Sequence, residues 1–289
     1  MTPGQWLEAF RPKTLPAAVA PVVAGTAAAY GAGQVVWGAA FFCLLFALLL
    51  QIGTNLANDY YDWKKGADGA QRQGPPRATS LGLVKPATMR RATCLTFALA
   101  FAAGLPLVVY GGWWLLPLGV VCILAGLAYT AGPYPLAYHG LGDLFVFLFF
   151  GLVAVNGTYF VQTQTLGWIP FGIACGVGAL AANILVINNY RDRAEDRLTN
   201  KRTLVVQWGE HWAIRQFLAQ GLAAALWPLW LVGTGWGWNA LWPVLILPWI
   251  LAQGRRLHRG PDGPECNRML ASTGRVLALY GFLWIPVFL

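Results

Sequence analysis

The chain has 289 residues, 57% of them hydrophobic and 11% charged, with a mean hydropathy of +0.53. Soluble domains carry about 25% charged residues, so a water-soluble body, a disordered chain, a collagen-like repeat and a disulfide scaffold are all excluded. The 20 Lys and Arg outnumber the 11 Asp and Glu; with no soluble body to display a basic face, the excess points to membrane topology or an anionic substrate, not to nucleic acid.

A helical span needs about 20 apolar residues, and the length holds about nine such spans with modest loops. In chain order the apolar runs lie at 15–30, 36–58, 93–110, 113–130, 144–161, 169–187, 214–232, 241–251 and 270–289. The first admits Pro16 and Pro21 and has the length of a span, not the build of a cleavable leader. Pro228, Pro243 and Pro248 leave the seventh and eighth hardest to bound. The connections at 31–35, 111–112, 164–168 and 233–240 carry no charge. The Lys and Arg sit instead before the first run and around the connections after the second, sixth and eighth. Nine alternating spans put all of them on one face, which the positive-inside rule makes cytoplasmic. That places the N-terminus inside and the C-terminus outside a bacterial cytoplasmic (inner) membrane. The connection at 132–142 falls on the same face but holds no Lys or Arg, so its side is weakly determined. Trp113, Trp114, Trp168, Trp236 and Trp238 near run ends read as an interfacial belt. The cysteines, at 43, 94, 122, 175 and 266, are odd in number and lack metal-type spacing; they read as small buried apolar residues.

Chemistry concentrates where the second and sixth runs turn polar. Asn58-Asp59-Tyr60-Tyr61-Asp62 and Asn188-Asn189-Tyr190-Arg191-Asp192 repeat Asn, Tyr and Asp in register, and Asp196 follows the second set. Asn58 and Asp62 are four apart and share a helix face, as do Asn188 and Asp192, and Asp192 and Asp196. Carboxylates at the end of a span are costly unless they face a cavity, pair or bind a cation. Two facing clusters can hold Mg²⁺ through a few carboxylates while a diphosphate supplies further oxygens. A single cluster reads as well as a juxtamembrane salt-bridge network; the matched repeat favours the metal. Lys64, Lys65, Arg72, Arg77, Lys201 and Arg202 lie close in sequence and can bind phosphate oxygens, although topology or anionic lipid also accounts for such charges. Asp59, Glu195, Glu210, Asp262 and Glu265 read as solvated.

These motifs resemble the UbiA-type intramembrane aromatic prenyltransferases, and within them the branch acting on 1,4-dihydroxy-2-naphthoate. The resemblance runs from Phe10-Arg-Pro-Lys-Thr-Leu-Pro16 through Asn58-Asp-Tyr-Tyr-Asp62 and Lys65-Gly-Ala-Asp68. It continues through Tyr129-Thr-Ala-Gly-Pro133, Gly140-Leu-Gly-Asp-Leu144, the Asn188–Asp196 motif and Lys201-Arg-Thr-Leu204, and ends at Asn267. It implies an all-α polytopic bundle of about nine transmembrane helices, with the Asp-rich motifs at the cytoplasmic ends of helices 2 and 6 and residues 1–289 as one domain. It implies Mg²⁺ on Asn58, Asp62, Asp68, Asp192 and Asp196. Asn58, Asp62, Tyr129, Asp192 and Asp196 would be catalytic. Lys64, Lys65, Arg72, Arg77, Asn188, Asn189, Lys201 and Arg202 would bind diphosphate. The substrates would be a polyprenyl diphosphate and 1,4-dihydroxy-2-naphthoate, giving demethylmenaquinol with loss of CO₂ and pyrophosphate, and membrane lipid would be the surrounding partner. Ring faces of Tyr61 and Tyr129 are candidates to stabilise an allylic cation. The sequence departs from the commonest family pattern at Gly66, where a third acid is usual, and at Leu136, where some relatives carry Lys. His139 in the same stretch reads first as structural.

Other readings remain. A secondary transporter also combines repeats with intramembrane acids, but its site should lie near the midplane on broken helices. A phosphatidyl-type alcohol phosphotransferase would need a compact Asp-x-x-Asp-Gly-type motif, which the sequence lacks. Within the family, 4-hydroxybenzoate, homogentisate, haem or chlorophyll acceptors compete.

Overall fold

The computed structural model describes residues 2–66, 73–74 and 77–289; Asp68 and Arg72 lie outside the described residues. Among these, all regular structure is helical. The first helix, α1 (Pro3–Phe10), opens on a capping box in which Thr2 and Gln5 bond each other's backbone N–H. It stops at Arg11, whose left-handed φ of 54° turns the chain. After a 3-10 turn at Pro12–Thr14, α2 (Pro16–Gly31) departs at 51°. The chain continues through α3 (Trp37–Lys64), α4 (Pro86–Gly104), α5 (Leu107–Gly111) and α6 (Leu115–Ala128). One rod follows, made of α7 (Gly142–Val146), a π-helical stretch at Phe147–Val153 and α8 (Ala154–Thr163). Then come α9 (Trp168–Leu198), α10 (Leu204–Trp208), α11 (Glu210–Leu226) and α12 (Pro228–Gly233). A 3-10 segment (Trp238–Ile246) leads into α13 (Leu247–His258), and α14 (Gly263–Phe282) completes the bundle.

Among the described residues, five helices are long and apolar enough to cross a membrane, or six if the bent α1–α2 pair is one span. The helices outrun the apolar runs at their polar ends. α4 begins at Pro86 and includes Arg90 and Arg91; α9 continues to Leu198; α14 begins at Gly263. Arg and Glu are good helix formers, so hydropathy falls before the helix stops. At α14 the Asp262 carboxylate accepts the Glu265 N–H at 2.7 Å and sets the true start.

Helix α9 is the centre of the bundle: 72% of its apolar stretch is buried, against 28–33% in the other four long spans. Small residues make this possible. A Cβ on Gly151 would lie 2.5 Å from the Ala174 carbonyl, and one on Gly178 would lie 2.7 Å from that of Phe147. The π-helical stretch therefore packs on α9 backbone to backbone. Tyr280 of α14 fills the space over Gly176 and ties α11 by donating to Ala224 O at 2.9 Å.

The two ends of the bundle differ in chemistry. At one end the uncharged connections meet: Gln162 accepts the Val36 N–H, Gln164 donates to Tyr110 O, and Phe288 packs on Gly31. At the other, Asn267 donates to Gln73 O, Tyr138 donates to Asp62, and Arg202 N–H bonds Tyr138 O. The 132–142 connection thus lies with the basic segments, which its own composition did not decide. Of the cysteines, 43, 122 and 266 are buried, 175 is half-buried, and Cys94 is exposed, contrary to the expectation for it.

Candidate active site

The last turn of α3 carries the first acidic pair, and the two acids have different partners. Asp59 accepts the backbone N–H of Ala78 and of Thr79, each at 3.0 Å. It is 3% exposed, not solvated as its sequence context suggested, because the 77–80 segment folds back over it. That segment delivers Arg77, which pairs with Asp62 at 2.6 Å and also donates to Asn58 O. Tyr138 donates its hydroxyl to the other Asp62 oxygen at 3.0 Å. Burial and the Asp62 charge push the Tyr138 phenol above its ordinary range, so it stays a donor. The Asn58 side-chain oxygen accepts from Thr130 at 2.8 Å. Lys65 donates to Thr130 O at 2.6 Å and lies 4.4 Å above the Tyr138 ring. Desolvation holds its ammonium below the usual lysine range against the pull of Asp62.

The last turns of α9 carry the second cluster. Arg191 forks onto Asp192, Nε to Oδ1 at 2.6 Å and Nη2 to Oδ2 at 2.7 Å. Asp196 pairs with Lys201 at 3.1 Å through Oδ1, and its buried Oδ2 has no partner. Lys201 is held there because its own N–H bonds Asp196 O at 2.8 Å where α9 ends.

Both clusters open on one polar pocket of about 40 Å³, lined by Asp62, Asp192, Glu195 and Asp196 together with Arg11, Arg77 and Lys201. Arg11, Asp62, Arg77, Asn188 and Lys201 also line a second, larger cavity of about 310 Å³. Its wall follows α3 from Cys43 to Asp62, about 28 Å at the helical rise. Beyond the polar end it is apolar, with Val22, Phe46, Leu115, Phe149 and Val161 among its walls. A charged head and a long apolar tail therefore have adjoining compartments.

Of the expected site residues, Asn58, Asp62, Arg77, Tyr129, Asn188, Asn189 and Lys201 line the larger cavity, and Asp192 and Asp196 line the polar pocket. Lys65 touches the same loop but lines neither; Lys64 and Arg202 are exposed and line neither. Tyr61 stacks edge-on against Tyr60 at 5.0 Å and is absent from the cavity wall, whereas Tyr129 is on it. His139 stacks on Tyr134 at 3.6 Å and bonds Pro135 O through Nδ1, a structural role. Sequence reasoning assigned no role to Arg11, Tyr138, Arg191 or Asn267. All four sit in or beside motifs that the resemblance spans, and that position was the available signal.

The sequence profile of the UbiA prenyltransferase family matches residues 18–285. The chain belongs to that family. It is 39% identical over 292 residues to the 1,4-dihydroxy-2-naphthoate octaprenyltransferase of Escherichia coli, covering 97% of this chain and 93% of that protein. It is 38% identical over 279 residues to the protein of the same name from Mycobacterium tuberculosis, covering 96% and 94%. Among solved structures, a UbiA homologue from Archaeoglobus fulgidus bound to DMAPP and Mg²⁺ matches with a TM-score of 0.69 at 14% identity, covering 97% of this chain and 99% of that one. The apo structure of a UbiA homologue from Aeropyrum pernix K1 matches at 0.72 and 17% identity, covering 92% and 96%. The all-helical UbiA fold is thereby established, and with it an integral-membrane prenyltransferase.

Proposed function

We propose that this prenyltransferase transfers a polyprenyl group from its diphosphate to 1,4-dihydroxy-2-naphthoate, releasing pyrophosphate and CO₂ and forming demethylmenaquinol. The observation that carries the reading is the polar pocket shared by Asp62, Asp192 and Asp196, continuous with the apolar cavity. The curated relatives named above, aligned over nearly the whole chain, supply the acceptor.

The donor set suits Mg²⁺. Its ligands would be hard oxygens, and Asp196 Oδ2 is buried with no partner. Among the described residues no three His, Cys, Asp or Glu gather to cage a metal. Mg²⁺ needs no such cage, since it usually keeps several waters and shares substrate phosphate oxygens. Asp62, Asp192 and Asp196, with Asn58 and Asp68 as further candidates, would hold it, and the metal would supply Lewis-acid neutralisation of the diphosphate.

The chain's own groups do the rest. Arg77 and Lys201 neutralise charge that builds on the leaving pyrophosphate as the allylic C–O bond breaks. The apolar wall keeps water from the cation, and the Tyr129 ring offers it a π face. The electron-rich naphthoate carbon then bonds to the allylic carbon, and loss of its carboxylate as CO₂ restores the quinol. We place residues 1–289 as one catalytic unit crossing a bacterial cytoplasmic membrane nine times, N-terminus inside and C-terminus outside. The gathering of the uncharged connections at the opposite end from the basic ones supports that count.

The test uses purified protein, a polyprenyl diphosphate, Mg²⁺ and carboxyl-labelled 1,4-dihydroxy-2-naphthoate. Labelled CO₂ and a prenylated quinol are expected together, and EDTA should abolish both. Faster turnover of 4-hydroxybenzoate overturns the acceptor; turnover unaffected by EDTA overturns the metal.

A further inference from the structure

Arg191 is 3% exposed, which separates it from the basic residues that topology explains. A buried guanidinium persists only when its donors are met, and here every acceptor comes from the site or its surroundings. Nε and Nη2 fork onto Asp192, Nη2 also reaches Asn188 Oδ1 at 2.9 Å, and Nη1 reaches Asn267 Oδ1 at 2.6 Å. Asn267, on α14, passes the link on by donating to Gln73 O at 3.2 Å.

We infer that Arg191 is a positioning residue that sets the polarity of the pocket wall. A guanidinium only donates, so it forces the amide oxygen of Asn188 toward itself. The Nδ2 amide is then the group Asn188 turns to the cavity that it lines: a donor, suited to a phosphate oxygen. The fork likewise engages both Asp192 oxygens and fixes the plane of the carboxylate. Asp192 is thereby locked as an oriented acceptor on the polar pocket. One buried side chain thus turns an amide donor to the cavity and holds the carboxylate on the polar pocket in one orientation. Through Asn267 it also fixes the α14 end and Gln73 against the same cluster. A lysine cannot substitute, because a single ammonium nitrogen cannot fork onto Asp192 while also reaching Asn188 and Asn267.

This inference rests on the diphosphate reading of the pocket, so the experiment measures binding apart from turnover. Equilibrium dialysis of an unreactive prenyl thiolodiphosphate with Mg²⁺ is run on wild type, R191M, R191K and N188D, alongside thermal midpoints. Removing groups that orient a ligand shell costs about tenfold or more in affinity. R191M and R191K should each lose about that much affinity, with the KM for the naphthoate unchanged. N188D should keep its thermal midpoint, since Arg191 gains a charged partner, yet still bind the thiolodiphosphate weakly because the cavity now faces an acceptor. Where R191M does not fold, N267L and N267D carry the test. N267D keeps the acceptor for Arg191 but gives up the donor to Gln73 O, and N267L loses both, so N267D should bind more tightly than N267L. Equal affinity across the folded variants, or a parallel rise in the naphthoate KM, overturns the role of Arg191 and leaves the proposed function standing. Failure of the wild type itself to bind overturns both.

Discussion

Asp59 and Asp62 share one helix turn, yet one holds backbone and the other holds charge. Asp59 satisfies the N–H groups of Ala78 and Thr79, and those bonds bring Arg77 to Asp62. Replacing Asp59 with Ala strands two buried donors, at a cost of about 1–3 kcal/mol for each. The expected outcome is a lower thermal midpoint together with weaker activity, because the segment that carries Arg77 loses its anchor. Asp59→Asn keeps one acceptor and should recover part of both. Asp62→Ala differs in kind. It takes from buried Arg77 the carboxylate it pairs with at 2.6 Å and empties one side of the polar pocket, so turnover should fall severely, as it should in Asp192→Ala. Glu265→Ala should change turnover little, since Glu265 contributes its backbone N–H to the α14 cap and lines neither cavity. A turnover assay with melting curves on the five variants separates these outcomes; an active Asp62→Ala would contradict the site.

Between elements, the decisive contact is the crossing of α9 and the π-helical stretch. The backbones touch at Gly151 and Gly178, where any Cβ collides with a carbonyl oxygen or a Cα. Gly178→Val should therefore push the rod off α9. Because Asn188 to Asp196 lie on the same helix, activity should fall along with stability. Gly233→Ala is the control, since nothing lies within 4 Å of its added Cβ; its melting temperature should stay at or slightly above that of wild type. If Gly178→Val melts and turns over like wild type, the close approach is not what positions α9. Little of this was legible in the sequence. The run at 144–161 announces an apolar helix, but nothing in hydropathy marks its π register. Periodicity places Asn58, Asp62, Asn188 and Asp192 on shared faces because i and i+4 contacts are local. It cannot pair Tyr138 with Asp62, or Asn267 with Arg191, because those bonds exist only once distant segments meet. Asp59 was misread for the same reason: its partners lie beyond the following loop.

Across the whole molecule, charge and function share an end. Arg11, Arg77 and Lys201 line the pocket, while the connections at 31–35, 111–112, 164–168 and 233–240 meet at the other end without a charge. An anionic head group and a divalent cation both need an aqueous approach, and a polyprenyl tail needs the apolar interior. The cavity meets both needs only if its polar end faces water at the membrane surface. By the positive-inside rule that surface is expected to be the cytoplasmic one, and the expectation can be tested directly. In a background with exposed Cys94 replaced, Asn239→Cys in intact cells should react with a membrane-impermeant maleimide, because Asn239 is exposed at the uncharged end. Arg197→Cys and Arg259→Cys, exposed at the basic end, should react only after permeabilisation. Labelling of all three in intact cells would place the ends on the same side and contradict the crossing number. The reverse pattern would keep the number of crossings and turn the pocket outward, away from any cytoplasmic supply of diphosphate and Mg²⁺.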